Sequence, residues 1–199
     1  DPNFGRNDQR YSSWVWSTDC TNKDNNGDPT NFCVESWHST FTFIQTLSGM
    51  PNGWYKLSAQ GFYRADGSDD NHPVLFANDS EVTLPNVLSE GKTSVSDGFS
   101  TLNNGVYIPN SMTEASAAFS SDHYYTDEIL FQVTGSTATI GIRNTSNVTD
   151  WCIWDNMELS YYGLENPSDS DNINEMLQTK PEHNVIYTIH GIRVKEITK

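Results

Sequence analysis

Aromatic residues beside polar segments are the residues of this chain best suited to binding a ligand. The 199 residues include six Trp, nine Tyr and nine Phe. A flat aromatic ring stacks on the C–H face of a sugar, while neighbouring polar groups hydrogen-bond the sugar hydroxyls. Eight residues are therefore predicted to contact a carbohydrate, namely Trp14, Trp16, Tyr63, Arg64, Tyr124, Tyr125, Trp151 and Trp154.

The tryptophans of the early segment and of the last strand admit two interpretations. Trp14 and Trp16 lie two residues apart and share one face if the chain is extended, so they form either a binding platform or part of the core. In the last strand, Ile153, Asp155 and Met157 are expected to face the core. That assignment places Trp154 on the outer face.

Arg64 precedes a long polar loop over residues 65–72. Its guanidinium presents a fork of donors that fits vicinal hydroxyls or a uronate carboxylate. A salt bridge to one of the many acidic residues is the alternative. Tyr63 ends the same predicted strand, and Tyr124 and Tyr125 form a further aromatic pair on a predicted loop.

A glycosidase is the enzymatic alternative, because such enzymes need two carboxylates about 5–9.5 Å apart. Five glutamates are candidates, namely Glu35, Glu81, Glu114, Glu128 and Glu158. The sequence has no Gly-x-Ser-x-Gly motif, and His38 and His123 are interpreted as ordinary polar residues. A non-catalytic binding module is therefore favoured over a small hydrolase using a Glu pair, and a protein-binding or spacer domain is the third hypothesis.

Charge and hydropathy exclude two classes of partner. The net charge is −15, from 26 acidic and 11 basic residues, and it would repel a phosphate backbone. No apolar run reaches the roughly 18 residues of a membrane-spanning helix, so we expect neither nucleic-acid binding nor membrane insertion. The chain starts without Met, which we interpret as a piece of a larger secreted or cell-surface protein rather than one that has lost a signal peptide.

Short segments of alternating apolar and polar residues predict an all-β fold, an antiparallel β-sandwich. Residues 134–136 are expected to form a hairpin turn, and Ser111 to cap one helix that ends at Phe119. The predicted strands are Ser39–Leu47, Gly53–Arg64, Ser80–Leu84, Ile129–Val133, Thr137–Arg143 and Cys152–Tyr162.

The sandwich is predicted to occupy residues 1–163. Residues 164–199 are predicted to form a polar linker and a strand-like tail. Cys20 and Cys33 flank a polar loop, so they either close it as a disulfide or remain reduced, whereas Cys152 is expected to be a small buried residue.

Several phrases of the sequence resemble a known family. These are Asp1-Pro2-Asn3-Phe4, Ser36–Phe41 with Gln45-Thr46-Leu47, Pro51–Leu57, Gln60-Gly61-Phe62-Tyr63-Arg64, and Trp151–Leu159. In this order they resemble galactose-binding-like jelly rolls, which are carbohydrate-binding modules of secreted polysaccharide-degrading proteins from gut and rumen Bacteroidetes. The tail Val185–Val194 is similar to the ends of secreted proteins of the same bacteria.

The resemblance implies a jelly-roll fold that binds a polysaccharide or oligosaccharide and directs an attached glycoside hydrolase to its substrate. It also implies a structural calcium ion, held by oxygens near Asn3 and Gly5 together with Asp155. Trp37 and Trp54 belong to the strand phrases of the resemblance and are therefore assigned to structure rather than to ligand binding.

Overall fold

The computed structural model describes residues 14–22, 33–121 and 124–168. Apolar and aromatic residues at alternate positions produce strands whose buried residues recur with a period of two, as in Phe41–Ser48. The strands are β1 Val15–Trp16, β2 Cys20–Thr21, β3 Val34–Trp37, β4 Phe41–Ser48, β5 Gly53–Ala65, β6 Val74–Ala77, β7 Ser80–Thr83, β8 Thr101–Asn103, β9 Val106–Ile108, β10 Thr126–Val133, β11 Thr137–Asn144 and β12 Asp150–Gly163.

Ten of these strands form two five-stranded sheets. Sheet A has the order β1-β4-β11-β6-β7, sheet B has the order β10-β5-β12-β3-β2, and β8 and β9 form a separate ribbon. Neighbouring strands within each sheet are antiparallel. The predicted antiparallel β-sandwich is confirmed.

The predicted hairpin at residues 134–136 is wrong. The turn does reverse the chain, but β10 belongs to sheet B and β11 to sheet A. Both strands place apolar residues, such as Phe131 and Ile140, in the core between the sheets. A turn sequence specifies the reversal of direction, whereas burial decides whether the second strand pairs with the first or crosses to the other sheet.

The main core lies between the two sheets and is rich in aromatic rings. Phe43 is fully buried, stacks on Trp14 and contacts Trp16 edge-on, with ring centroids 4.5 Å and 5.7 Å apart respectively. Trp154 is also fully buried and stacks on Phe41 at 5.1 Å. Aromatic side chains thus supply much of the apolar contact between the sheets.

A second apolar layer covers half of the outer face of sheet B. It is built by the segment between β7 and β10, which contains a 3₁₀ turn at Val87–Ser89, the β8–β9 ribbon and helix α1, Met112–Ser120. Phe119 of α1 packs on Phe62 of β5 at 5.7 Å. Sheet B is therefore buried on both faces along this half.

Helix α1 begins where the sequence predicted. The hydroxyl of Ser111 accepts a hydrogen bond from the Glu114 backbone N–H at 3.2 Å, as an N-cap does. The Glu114 carboxylate accepts from the Asn110 backbone N–H at 2.7 Å and from the Thr101 hydroxyl at 2.9 Å. One carboxylate thus joins the β8–β9 ribbon to the helix N-terminus.

A β-bulge interrupts the alternation of β12. Asp155 pairs with Gln60 and Glu158 with Ser58, so β12 carries one extra residue, and Asn156 adopts a φ of +50° there. Side chains before and after the bulge therefore change face. Trp154 and Met157, three positions apart, both lie in the main core.

The three cysteines are free. Cys33 and Cys152 are buried and Cys20 is half-buried. Cys20 and Cys33 thus remain reduced, the second of the two predicted states. In the described ranges of the chain, no helix has the length and apolar character needed to cross a membrane.

Candidate functional site

Three side chains form a row across one end of sheet B. Trp37 of β3 pairs with Trp151 of β12, and Trp151 pairs with Arg64 of β5. Directly opposed residues point to the same face of a sheet, so the three side chains lie side by side on the outer face. The Arg64 guanidinium carbon lies 5.1 Å from the Trp37 ring centroid and 5.3 Å from that of Trp151. These distances suit cation–π contacts.

Arg64 is held at its polar end by two partners. Its Nε donates to Asp66 Oδ1 at 2.9 Å and its NH2 donates to Asp66 Oδ2 at 2.6 Å. Its NH1 donates to Asn110 Oδ1, which comes from the segment that carries α1. The guanidinium beside Asp66 is the main reason that the pKa of this carboxyl lies below its usual value.

Trp37 is the exposed member of the row, with 53% of its surface accessible. The next residue, His38, has a φ of +48°, and this turn stacks its ring on Trp37 at a centroid distance of 4.1 Å. The His38 Nε2 lies 2.8 Å from Asp66 Oδ2 and donates to it, since an ionised carboxylate only accepts. The exposed indole is thus fixed beside polar groups. We call Trp37, His38, Arg64, Asp66, Asn110 and Trp151 the Arg64 cluster.

Glu35 adjoins the Arg64 cluster through a hydrogen bond with Trp151. It lies two residues before Trp37 on β3, and its Oε2 accepts a hydrogen bond from Trp151 Nε1 at 2.8 Å. Burial raises the pKa of the Glu35 carboxyl, and the indole hydrogen bond opposes that effect. The chain therefore places two carboxyls with opposite pKa shifts at this cluster, with Asp66 on Arg64 and Glu35 on Trp151.

The loop before β12 is held by hydrogen bonds between its own side chains and its backbone. Asn144 Nδ2 donates to the Asn147 carbonyl at 2.6 Å, and the Asn147 N–H donates back to Asn144 Oδ1 at 3.1 Å. The loop ends at Asp150, whose carbonyl accepts from the His38 N–H at 2.9 Å. These bonds fix the loop against the turn that orients His38 and Trp37.

Asp150 also pairs with a histidine beside the cluster. Its Oδ2 lies 2.8 Å from His72 Nδ1, and the His72 ring stacks on Tyr63 at 4.2 Å. Burial raises the pKa of the Asp150 carboxyl, while His72 opposes that shift. Tyr63 is buried, at 6% exposure, so it supports this pair through its ring.

The predicted ligand residues separate into three groups. Arg64 and Trp151 meet at the cluster, although Trp151 is only 2% exposed. Tyr125 belongs to the second apolar layer and Tyr124 packs against it. The Tyr125 ring contacts the Phe62 ring at a centroid distance of 4.8 Å. The remaining four, Tyr63, Trp14, Trp16 and Trp154, lie in or against the main core.

The assignment of Trp154 to the outer face is wrong. Trp154 has no exposed surface and faces sheet A. The prediction assumed unbroken alternation through Met157, whereas the bulge at Asn156 reverses it. For Trp14, the core alternative is the one observed, since the ring is 4% exposed and stacked on Phe43.

Trp37 was assigned to structure from the sequence, yet it is the most exposed aromatic residue that the structure describes. Its strand has only four residues, and Val34 and Ser36 point inward. The alternation from Val34 to Trp37 was the available signal. His38 gave no comparable signal, because only the fold brings it to Asp66. For Arg64, the salt bridge to an acidic residue is the alternative observed, and its partner Asp66 lies only two residues away.

A second group of exposed side chains lies on the uncovered half of the same sheet face. Tyr162 is 41% exposed and Leu130 is 37% exposed. The ammonium of Lys56 donates to Glu128 Oε1 nearby, at 2.8 Å. Trp54, also on this half, is partly buried.

Two of the three residues of the predicted calcium site, Asn3 and Gly5, lie outside the described residues. Ile153 and Asp155, which alternate with Trp154, lie on the outer face of sheet B, where Ile153 belongs to the second apolar layer. The prediction that they face the main core is therefore wrong, although Asp155 is buried, at 4% exposure. Across residues 14–22, 33–121 and 124–168, no group of three or more His, Cys, Asp and Glu side chains is arranged to hold a metal. The calcium ion stays a prediction.

Comparisons with known proteins give likenesses in structure but none in sequence. No protein-family model matches the chain, and no curated protein matches it. Among solved structures it is similar to TmCBM61 in complex with β-1,4-galactotriose, at 14% sequence identity and a TM-score of 0.41. The match covers 81% of this chain and 100% of the other.

Proposed function

We propose that this chain is a non-catalytic carbohydrate-binding module whose ligand site is the Arg64 cluster. One observation carries the proposal: the half-exposed indole of Trp37 is fixed beside a group of hydrogen-bonding side chains. A pre-positioned ring loses little conformational entropy when a sugar stacks on it.

The polar groups of the cluster suit sugar hydroxyls. His38 and Asp66 are partly exposed next to Trp37, with side-chain exposures of 37% and 28%. A carboxylate accepts from hydroxyl groups, and an exposed Trp ring supplies apolar contact. One sugar ring over Trp37 would reach both kinds of contact.

Affinity electrophoresis against xylan, glucans, mannans, galactan and pectins tests the proposal. We expect retardation by at least one polymer, and Trp37→Ala is expected to weaken binding at least about tenfold, as for a central interface Trp. Tyr162→Ala is the matched control, because it removes an exposed aromatic ring from the far end of the same sheet face.

Two results would contradict this assignment. Absence of retardation on every polymer would contradict carbohydrate binding and favour a protein-binding or spacer role. Loss of binding in Tyr162→Ala, with normal binding in Trp37→Ala, would move the site to the uncovered half of sheet B.

A small glycoside hydrolase is the second candidate, because carboxyls with opposite pKa shifts are typical of an acid and base pair. Glu35 and Asp66 show this pattern, with the pKa of Glu35 raised and that of Asp66 lowered. Reducing-sugar release by the chain, abolished in Glu35→Gln, would establish this function. We expect no release.

We further propose the setting in which the module works. By its resemblance, it would be a galactose-binding-like jelly roll in a secreted or cell-surface protein of Bacteroidetes, attached to a glycoside hydrolase. Asn3, Gly5 and Asp155 would hold a structural calcium ion. A higher melting temperature in calcium than in EDTA, absent in Asp155→Asn, would support the calcium site, and equal melting temperatures would contradict it.

A further inference from the structure

We propose that Asp66 makes the Arg64 cluster selective for uncharged sugars by occupying the edge of Arg64 that would otherwise bind a uronate carboxylate. The inference rests on the proposed function and concerns the same site. It assigns a specificity role to a residue that the sequence analysis did not select.

Three of the five N–H donors of Arg64 are engaged within the protein. Nε and NH2 form one edge of the guanidinium, and this edge makes a two-point contact with Asp66 at 2.9 Å and 2.6 Å. NH1 donates to Asn110. A two-point contact of this kind is the geometry with which arginine recognises a carboxylate ligand, so Asp66 takes the place that a uronate would need.

Access to the rest of the guanidinium is restricted. The Arg64 side chain is only 10% exposed, and the rings of Trp37 and Trp151 lie against it. The more exposed group at this end is Asp66, at 28%. An approaching anion would therefore meet a carboxylate before it reached the arginine.

The charges around Arg64 also disfavour an anionic sugar. Asp66 offsets the charge of Arg64, Glu35 accepts a hydrogen bond from the neighbouring Trp151, and the whole chain carries a net charge of −15. A second carboxylate beside Asp66 would add like-charge repulsion, whereas a neutral hydroxyl would only accept or donate hydrogen bonds. Uncharged hexoses and pentoses are the ligand class that fits.

Pairs of polymers that differ only in their carboxylates, measured at raised salt, distinguish the effect of Asp66 from general repulsion between a negatively charged protein and a negatively charged polymer. Galactan, glucan and mannan are each compared with a form in which part of the C6 hydroxyls is oxidised to carboxylates, and xylan is compared with and without its glucuronate side groups. Titrations of the full chain in about 0.3 M salt screen distant charges beyond roughly 6 Å. The wild-type chain is expected to bind the uncharged form at least about tenfold more tightly.

The decisive variant is Asp66→Asn, which keeps the shape of the side chain and removes its charge. It is expected to reduce the preference for the uncharged form by about tenfold. Asp70→Asn is the control, because it makes the same charge change at an exposed position in the same loop and should leave the preference unchanged. Adding Arg64→Gln to Asp66→Asn should abolish the gain, since the cation is then gone.

The outcomes are distinguishable. Equal binding of charged and uncharged forms by the wild-type chain would overturn the inference while leaving carbohydrate binding in place. So would an unchanged preference in an Asp66→Asn variant whose thermal unfolding shows it to be folded. Absence of binding to every polymer would instead contradict the proposed function, and with it this inference.

Discussion

The side-chain amide of Gln60 donates a hydrogen bond to the backbone carbonyl of Phe119, at 2.8 Å. This bond joins the centre of sheet B to the last turn of α1. The same amide donates to the Tyr124 carbonyl at 3.1 Å, and its oxygen accepts from Asn156 at the bulge. One buried glutamine thus connects the sandwich, the bulge and the covering segment.

We expect Gln60→Leu to destabilise the protein by about 2–3 kcal/mol, because buried carbonyls lose their donors. Amide protons of α1 should exchange faster, since the contact that fastens its end is lost. Urea unfolding and hydrogen exchange measure both effects. Gln132→Leu, at an exposed position on β10, should change stability by less than about 0.5 kcal/mol, and equal effects of the two variants would contradict the role given to Gln60.

Truncation of the two tryptophans whose positions differ from the sequence interpretation should cost very different amounts of stability. Trp154→Ala is expected to cost about 3–5 kcal/mol, because it empties a fully buried position against Phe41. Trp37→Ala should cost less than about 1 kcal/mol, because the ring is half-exposed. Urea denaturation of both variants tests this contrast, and a large loss of stability in Trp37→Ala would show that Trp37 is structural.

Asp127 should make stability depend on pH. Burial, followed by the charge of Glu90, raises the pKa of its carboxyl from 3.8 to about 7, and its Oδ2 is buried with no hydrogen-bond partner among the described residues. The folded state therefore holds a proton that the unfolded state releases, so this contribution to stability is lost as pH rises from 3.8 to about 7. Asp127→Asn should unfold at a higher urea concentration than the wild type at about pH 8.

At about pH 3, below the ordinary pKa of 3.8, the two proteins should unfold at similar urea concentrations, because Asp127 is then protonated in both the folded and the unfolded wild type, and the difference should grow as pH rises toward about 7. Asp79→Asn, at an exposed turn position, is the control and should follow the wild type throughout. A constant difference between Asp127→Asn and the wild type at all pH values would show that charge is not the cause.

The cysteines should be reduced and mostly unreactive. Burial raises the pKa of Cys20 to about 11, and it raises the pKa values of Cys33 and Cys152 well above their usual range. Because the thiolate is the reactive form, iodoacetamide at about pH 8 should label Cys20 slowly and the other two only after denaturation. Mass spectrometry checks this, and the mass of a disulfide in the non-reduced chain would contradict it.

Long alternating segments made the sandwich predictable from the sequence. The strand predicted over Gly53–Arg64 is β5, and the helix predicted after Ser111 is α1. The four-residue strands Val34–Trp37 and Val74–Ala77 were missed, because an alternation over four residues is too short to distinguish a strand reliably from a loop. The hairpin error has a different cause, since sheet membership depends on contacts that are distant in sequence.

The candidate site was less predictable than the fold. Arg64 was selected because its donors fit a ligand, but the chain directs most of them to Asp66 and Asn110. Aromatic residues were selected by type, yet most of them are buried in two apolar layers, one on each face of sheet B. Trp37 remains exposed because it lies at the end of a short strand, beyond the covering segment.

Strand β10 has a consequence for how copies of this protein meet. In the described part of the chain, it pairs with β5 on one side only and leaves an eight-residue edge open, whereas the edges β1 and β2 have two residues each. Such an edge is a template for another strand. Glu128 is exposed on it and the chain carries a net charge of −15, so pairing between copies would bring like charges together. Colloidal stability therefore depends on ionised carboxylates, and acidification toward their ordinary pKa of about 4 should make the protein self-associate.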